Sequence, residues 1–331
     1  MQIRTVSVIG GGAWGTALAQ SLAHGGNAVT LWAREPEIVD DINARNVNRV
    51  FLPGISLHPT IHATADLAKA ARCDAMLAVV PAQHMRGVMS KLARHLSADV
   101  PVVVCSKGIE QNTGKFLGDI IEEVAPDAQR AVLTGPSFAA DVARGLPTAL
   151  TLACHNEGLG RALSVGLSSR QVRLYWSSDV IGAELGGAVK NVLAIAAGIV
   201  EGRGLGASAH AAIVTRGFAE LRRFGDAMGA RPETLLGLSG LGDLILTCGS
   251  TQSRNMSLGR ALGEGRGLAE ILGGRSAVTE GVYTSAALVR LAREKGVDMP
   301  IAEAVHGIIE GQLTVEEAIT ALMQRPLKAE D

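Results

Sequence analysis

Cysteine is scarce: Cys73, Cys105, Cys154 and Cys248 are the only four in 331 residues, and they stand far apart. That spacing excludes a disulfide scaffold and a thiolate metal cluster, and it fits a chain kept in a reducing compartment. The eight histidines are equally dispersed. His58 and His62 stand four apart, but Pro59 between them breaks the helix face that a pair of ligands would need, so no metal is expected. Basic excess is also missing, since 31 Lys and Arg face 32 Asp and Glu, for a formal net charge of -1 without a dense basic run. A nucleic-acid partner needs a basic face, so none is expected and any anion binding must be local. No uninterrupted apolar stretch reads as a membrane span, and the apolar residues ahead of the first glycines are too few for a signal-peptide core. The expectation is a cytoplasmic chain. Internal repeats and low-complexity segments are lacking as well.

What is present is an enzyme-sized chain, 47% hydrophobic, long enough for two domains with sizeable cores. Strand-like runs at Thr5 to Ile9, Ala28 to Trp32, Met76 to Val80, Val102 to Cys105, Ala131 to Thr134, Thr148 to Leu152 and Val172 to Tyr175 alternate with helical patterns. Such alternation indicates βαβ units and a mostly parallel sheet. From Asp179 onward helical spacing takes over, punctuated by Gly202-Arg203-Gly204, Arg231-Pro232, Gly240 to Gly242, Gly273-Gly274 and Pro300. The fold class expected is α/β, an N-terminal Rossmann-type mostly parallel sheet over residues 1–178 plus an all-α domain over residues 179–331. Ser177-Ser178-Asp179 reads as an N-cap cluster at the boundary, and the end from Arg325 reads as frayed and polar.

Gly10-Gly11-Gly12-Ala13-Trp14-Gly15 follows directly on the run Thr5 to Ile9 and opens a helical stretch through Leu22. Strand, glycine turn and helix in that order make a dinucleotide-binding turn: Gly10 for the sharp turn, Gly12 for close approach of a pyrophosphate, Gly15 for helix–strand packing. Ala17, Leu18 and Leu22 recur at helical spacing, against the alternative of a glycine-rich hairpin. Ligands of open parallel sheets sit beyond the carboxyl ends of the strands. There the second strand offers Arg34, whose guanidinium suits a 2′-phosphate; the other reading makes Arg34 a surface residue and Glu35 the acid for a ribose hydroxyl. Ser106-Lys107-Gly108 and Gly135-Pro136-Ser137-Phe138-Ala139 fall at the ends of two later strands. Lys107 there is either a crevice ammonium or a solvated loop lysine.

The segment Glu184 to Ala197 places Lys190 and Asn191 inside an apolar helix, with Gly186 and Gly187 one turn earlier on the Lys190 face. Each glycine weakens a helix by about 1 kcal/mol, so a compensating reason is expected, such as close approach of a ligand. A partly desolvated lysine has its pKa lowered, as an acid/base group near neutrality requires; the alternative is a lysine snorkelling from a half-buried helix. Asp243, in the turn Gly240-Leu241-Gly242-Asp243-Leu244, either caps the next helix or holds Lys190 or a substrate hydroxyl. Ser253-Arg254-Asn255 joins helix N-terminal amides to a guanidinium, which suits a phosphate monoester as well as an ordinary N-cap.

In this order the motifs resemble the NAD(P)-dependent glycerol-3-phosphate dehydrogenase family of bacteria over nearly the whole chain: the glycine turn through Ala17, Lys107-Gly108-Ile109, Gly135 to Ala139, Glu184 to Asn191, Gly240 to Leu244, and Ser253-Arg254-Asn255. The resemblance implies Lys190 as the proton-transferring residue and Lys107, Gly135, Ser137, Lys190, Asn191, Asp243, Ser253, Arg254 and Asn255 around the substrate. It implies Gly10, Gly12, Ala13, Trp14, Gly15, Arg34, Lys107, Ala139, Arg254, Val278 and Glu280 near the cofactor, NADP or NAD. The implied reaction is reversible reduction of dihydroxyacetone phosphate to sn-glycerol 3-phosphate for phospholipid synthesis. Two departures stand out: Met256 occupies a position where the family often has a further arginine, and Thr279 replaces a more apolar residue. Two other readings remain, a two-domain reductase of hydroxy acids and a dinucleotide-sensing protein without an acid/base. Ala286, Leu288, Leu291 and Ala292 read equally as a homodimer contact and as core.

Overall fold

The computed structural model describes residues 2–273 and 278–326. The expected turn at Gly273-Gly274 and the expected frayed end therefore lie, at Gly274 and from residue 327, outside the described residues.

Runs such as Val6-Ser7-Val8-Ile9 and Val102-Val103-Val104 are buried without alternation, as strands covered on both faces must be. In chain order the strands are β1 (Thr5–Ile9), β2 (Ala28–Trp32), β3 (Val47–Asn48), β4 (Leu52–Ser56), β5 (Ile61–Thr64), β6 (Ala75–Ala78), β7 (Val102–Val104), β8 (Arg130–Thr134), β9 (Thr148–Ala153) and β10 (Val172–Ser177). Eight form one sheet in the order β10-β9-β8-β7-β6-β1-β2-β5, while β3 and β4 make a separate hairpin. Every pairing in the large sheet is parallel except β8 with β9. The sheet is thus the mostly parallel, Rossmann-type one read from the sequence. Apolar layers lie on both its faces: one includes Leu18, Leu22, Leu159 and Leu163 from flanking helices, the other Met85, Met89, Leu117 and Ile121.

The chain order reverses at β1, which has β2 on one side and β6 on the other. At such a switch point the crevice beyond the strand ends opens, and the turn after β1 lies there. After β10 every described element is helical. Asp179 caps the helix Val180–Gly202 by accepting from the Gly182 N–H, so within the Ser177-Ser178-Asp179 cluster the aspartate does the capping.

That 23-residue helix is long and apolar enough, by length and composition, to cross a membrane, although Glu184, Lys190, Asn191 and Glu201 interrupt its apolar run. It is the core of the helical domain instead, with 83% of its most apolar window buried inside the fold. Glycines let its neighbours approach to backbone distance: a Cβ on Gly198 would lie 2.1 Å from the Met256 carbonyl oxygen, and one on Gly259 would lie 2.0 Å from that of Ile195. Met256, where a further arginine was a family alternative, is buried in this packing, as are Leu288 and Ala292. For those last two residues ordinary core packing replaces the dimer reading.

Candidate active site

Each glycine of the first turn has a distinct job. Gly10 sits at φ +132°, and a Cβ there would lie 2.7 Å from the Val79 carbonyl oxygen. A Cβ on Gly15 would lie 1.9 Å from the Gly10 carbonyl oxygen, so the helix Ala13–His24 can pack this close only with glycine. Beside Gly12 the space is open to 4 Å, and Gly12 is the N-cap with no side chain bonded to the first amides. An uncapped helix N-terminus facing such a space is a cradle for the pyrophosphate of a dinucleotide, and the residues present fit one. Trp14, in the first turn, donates its indole N–H to the Cys105 carbonyl at 3.1 Å and so ties the turn to the loop that carries Lys107. Ala139 opens a short helix packed on the same apolar layer as Ala13 and Trp14.

Arg34 is placed at the end of β2, its side chain 78% exposed and its Nε and Nη2 both donating to Glu35 Oε1, at 3.1 and 2.8 Å. Both candidate ribose-recognition groups are therefore present and paired with each other.

The centre of the site is a carboxylate held between two ammonium groups. Asp243, fully buried, accepts from Lys190 Nζ at 2.8 Å on Oδ1 and from Lys107 Nζ at 2.7 Å on Oδ2. Its side chain therefore does not cap the helix Asp243–Cys248 that it begins, which settles the alternative left open by the sequence. The π-helical turn Leu238–Gly242 delivers it, and Gly186 makes room, since a Cβ there would lie 2.3 Å from the Ser239 carbonyl oxygen. Gly187 makes the matching room for Thr134 Oγ1 and the Lys107 stem. The compensation for both helix-weakening glycines is thus packing of the loops that carry Asp243 and Lys107 against the helix, and ligand approach is not needed to explain them.

Lys190 is 7% exposed, so it does not snorkel to solvent. Burial lowers its pKa to about 8, against the pull of Asp243 and with the repulsion of Lys107 adding to the fall. Thr247, one turn after Asp243, accepts from Lys190 at 2.7 Å. Sequence reading missed it; the only signal was its position four residues after Asp243 on one helix face. Lys107 also donates to the Gly135 carbonyl at 2.9 Å, which Ser137 Oγ reaches at 3.2 Å, and Gly135 holds φ +135°. Lys107 is therefore a crevice group, and no solvated loop lysine.

Asn191 Nδ2 reaches the Lys107 carbonyl at 3.4 Å, while its Oδ1 accepts from Asn255 Nδ2 at 2.9 Å. Asn255 Oδ1 in turn accepts from the Gly281 N–H at 3.0 Å. These amides form a relay that aligns three helices behind the lysines. Ser253 Oγ accepts from the Met256 N–H, making it a true N-cap of Arg254–Gly263, and Arg254 Nη1 donates to the Val278 carbonyl at 2.8 Å. Thr279 is buried with its hydroxyl unbonded. Glu280 crosses to the sheet domain, where its Oε1 accepts from the Ala82 N–H at 3.0 Å; its other oxygen is buried without a partner. Burial holds the Glu280 carboxyl above its ordinary range. Among the described residues no group of three or more His, Cys, Asp or Glu could hold a metal.

Comparison with known proteins agrees with this geometry. Residues 5–159 match the family profile described as NAD-dependent glycerol-3-phosphate dehydrogenase N-terminus, and residues 179–320 match its C-terminus counterpart. The chain is 59% identical over 327 residues to a glycerol-3-phosphate dehydrogenase [NAD(P)+] of Parvibaculum lavamentivorans, covering 99% of this chain and 98% of that one. It is 58% identical over 330 residues to the protein of the same name from Caulobacter vibrioides, covering both chains completely. The crystal structure of glycerol-3-phosphate dehydrogenase from Coxiella burnetii superposes with a TM-score of 0.93 at 37% identity, covering 98% of this chain and 99% of that one. The chain belongs to the NAD-dependent glycerol-3-phosphate dehydrogenase family.

Proposed function

We propose that this chain reversibly reduces dihydroxyacetone phosphate to sn-glycerol 3-phosphate with NADH or NADPH, in the cytoplasm and in supply of glycerophospholipid synthesis. The observation that carries the reading is the buried Lys190–Asp243–Lys107 bridge, whose Lys107 follows the Cys105 carbonyl that Trp14 of the glycine turn bonds, in a chain of this family. When bound, the nicotinamide supplies hydride chemistry; the proton chemistry belongs to the protein. Protonated Lys190 donates to the C2 oxygen of the ketone as it is reduced, and neutral Lys190 takes the C2 hydroxyl proton in the reverse direction. A pKa of about 8 makes both forms available near neutral pH.

Asp243 and Thr247 hold the amine, and Lys107 brings a second positive charge to the developing alkoxide. Asn191, steadied by Asn255, faces the same space. Gly135 and Ser137 line it, and Ser253, Arg254 and Asn255, at a helix N-terminus, receive the phosphate, where amides and a guanidinium suit a dianion. Gly10, Gly12, Ala13, Trp14, Gly15 and Ala139 hold the pyrophosphate side of the cofactor, Arg34 its adenosine ribose, and Lys107, Arg254, Val278 and Glu280 its far end. The division of labour falls at residue 178, with the dinucleotide on residues 1–178 and most substrate groups on residues 179–331. All the groups named come from one chain.

Absorbance of NADH and NADPH with dihydroxyacetone phosphate tests the reading. Oxidation of the nucleotide is expected with this ketone and not with a panel of keto acids. Turnover of the keto acids alone would transfer the chain to the hydroxy-acid reductases, and no turnover at all would favour a dinucleotide sensor.

A further inference from the structure

The hairpin of β3 and β4 lies outside the main sheet, yet it sends one side chain beneath the glycine turn. Asn48, 1% exposed, donates from Nδ2 to the Gly11 carbonyl at 2.8 Å and to Thr16 Oγ1 at 2.8 Å. Its Oδ1 accepts from the Phe51 N–H at 3.1 Å. The Phe51 bond decides which end of the carboxamide faces the turn, because the flipped amide would set oxygen against the Gly11 carbonyl oxygen and nitrogen against an N–H.

The bond to Gly11 matters because of what lies on the other side of the same peptide. No cis peptide occurs among the described residues, so the N–H of Gly12 points opposite to the C=O of Gly11. Between two glycines no Cβ chooses the orientation of this peptide, and among the described residues the one other side chain on its carbonyl is Thr16, whose Oγ1 donates at the longer distance of 3.4 Å. With the Gly11 carbonyl held on the Asn48 side, the Gly12 N–H is turned to the opposite side of the peptide, at the N-cap of the helix Ala13–His24.

We propose that Asn48 is a positioning residue for dinucleotide binding: by holding the Gly11 carbonyl it orients the Gly11–Gly12 peptide so that its N–H donates to the pyrophosphate. This rests on the reading of the glycine turn as the cofactor cradle. It also gives a function to a hairpin that the sheet does not require.

Asn48→Ala removes the shorter of the two side-chain bonds to the Gly11 carbonyl and leaves the 3.4 Å bond from Thr16, and Asn48→Asp keeps the side-chain shape while placing an acceptor opposite the Gly11 oxygen. Asn43→Ala is the control, since Asn43 bonds the backbone of Ala63 at 2.9 and 2.8 Å without touching the turn. NADH affinity is measured by fluorescence titration with ADP as competitor, beside thermal melting, kcat and the KM for dihydroxyacetone phosphate at saturating NADH. Both Asn48 variants are expected to bind NADH and ADP roughly 10-fold or more weakly, the range of a lost hydrogen bond to a charged group, with the ketone KM changed less than about 2-fold. Asn43→Ala is expected to melt lower with unchanged NADH affinity. Should Asn48→Ala fail to fold, the near-isosteric Asn48→Asp carries the test. A folded Asn48 variant with wild-type NADH affinity, or a loss matched by Asn43→Ala, overturns the proposal. A wild-type protein that binds no NADH would instead overturn the cofactor reading beneath it.

Discussion

Replacing Asp243 with Asn keeps the size of the side chain and removes the one negative charge between Lys190 and Lys107. At 2.8 Å the Lys190–Asp243 pair is worth about 6 kcal/mol of Coulomb energy at an effective dielectric of 20, before desolvation is subtracted. Burial and Lys107 push the Lys190 pKa down, and Asp243 is the main group pushing it up. Without Asp243 the pKa should fall from about 8 by roughly 1 to 3 pH units, the usual effect of an opposite charge at this range. With a fall of about 2, the protonated share of Lys190 at pH 7 would drop from about nine-tenths to about one-tenth. Ketone reduction at pH 7 should then slow about 10-fold from protonation alone, and its alkaline limb should move to lower pH by the same 1 to 3 units. The reverse reaction, which needs the neutral amine, should gain rate at low pH relative to its own maximum. The assay is the pH dependence of kcat in both directions at saturating dinucleotide, run below the melting temperature. That precaution is needed because breaking a buried pair costs about 3–5 kcal/mol of stability. If a folded Asp243→Asn protein keeps the wild-type alkaline limb within about 0.3 pH unit, Lys190 is not the titrating acid/base.

Three further outcomes follow from the same geometry. Gly12→Ala adds a methyl group to open space at an extended N-cap position whose φ of −71° any residue adopts, so melting should hold while NADH KM rises about 10-fold or more; Gly15→Ala meets a carbonyl at 1.9 Å and should lower melting severely. Burial pushes the Glu184 carboxyl from 4.5 to about 7, so the folded state holds its proton more tightly than the unfolded state and stability falls as pH rises through that window. Glu184→Gln, which can still accept from the Gly118 N–H, should therefore match wild type in chemical denaturation near pH 4 and exceed it near pH 8, by up to about 3 kcal/mol. Arg34→Ala should raise the KM for NADPH several-fold and leave that for NADH nearly unchanged; equal losses with both would remove Arg34 from phosphate recognition.

The parts of this fold written in local patterns were legible. Buried strands such as β1 and β7 read as apolar runs, and the order strand, glycine turn, helix carries its own mechanism. The missed elements are β3, β4 and β5: two residues at Val47–Asn48, a strand holding Pro53 and Gly54, and the polar-interrupted Ile61–Thr64. Their pairing is imposed by neighbours rather than by propensity. In the site, Lys190 stood out because an ammonium inside an apolar helix has a cost that local sequence reveals. Thr247 and Asn48 did not, because a threonine or asparagine is ordinary until tertiary packing aims it. Gly186 and Gly187 signal a close approach in the sequence, but only the fold shows that the approaching groups are the loops bearing Asp243 and Lys107.

In the proposed reaction everything turns on the Lys190 amine moving the proton. Its most direct test is turnover of dihydroxyacetone phosphate by Lys190→Ala, with NADH affinity measured on the same preparation. The kcat is expected to fall about 10²- to 10⁴-fold with dinucleotide affinity intact. Near wild-type turnover in a folded, NADH-binding Lys190→Ala protein would contradict it.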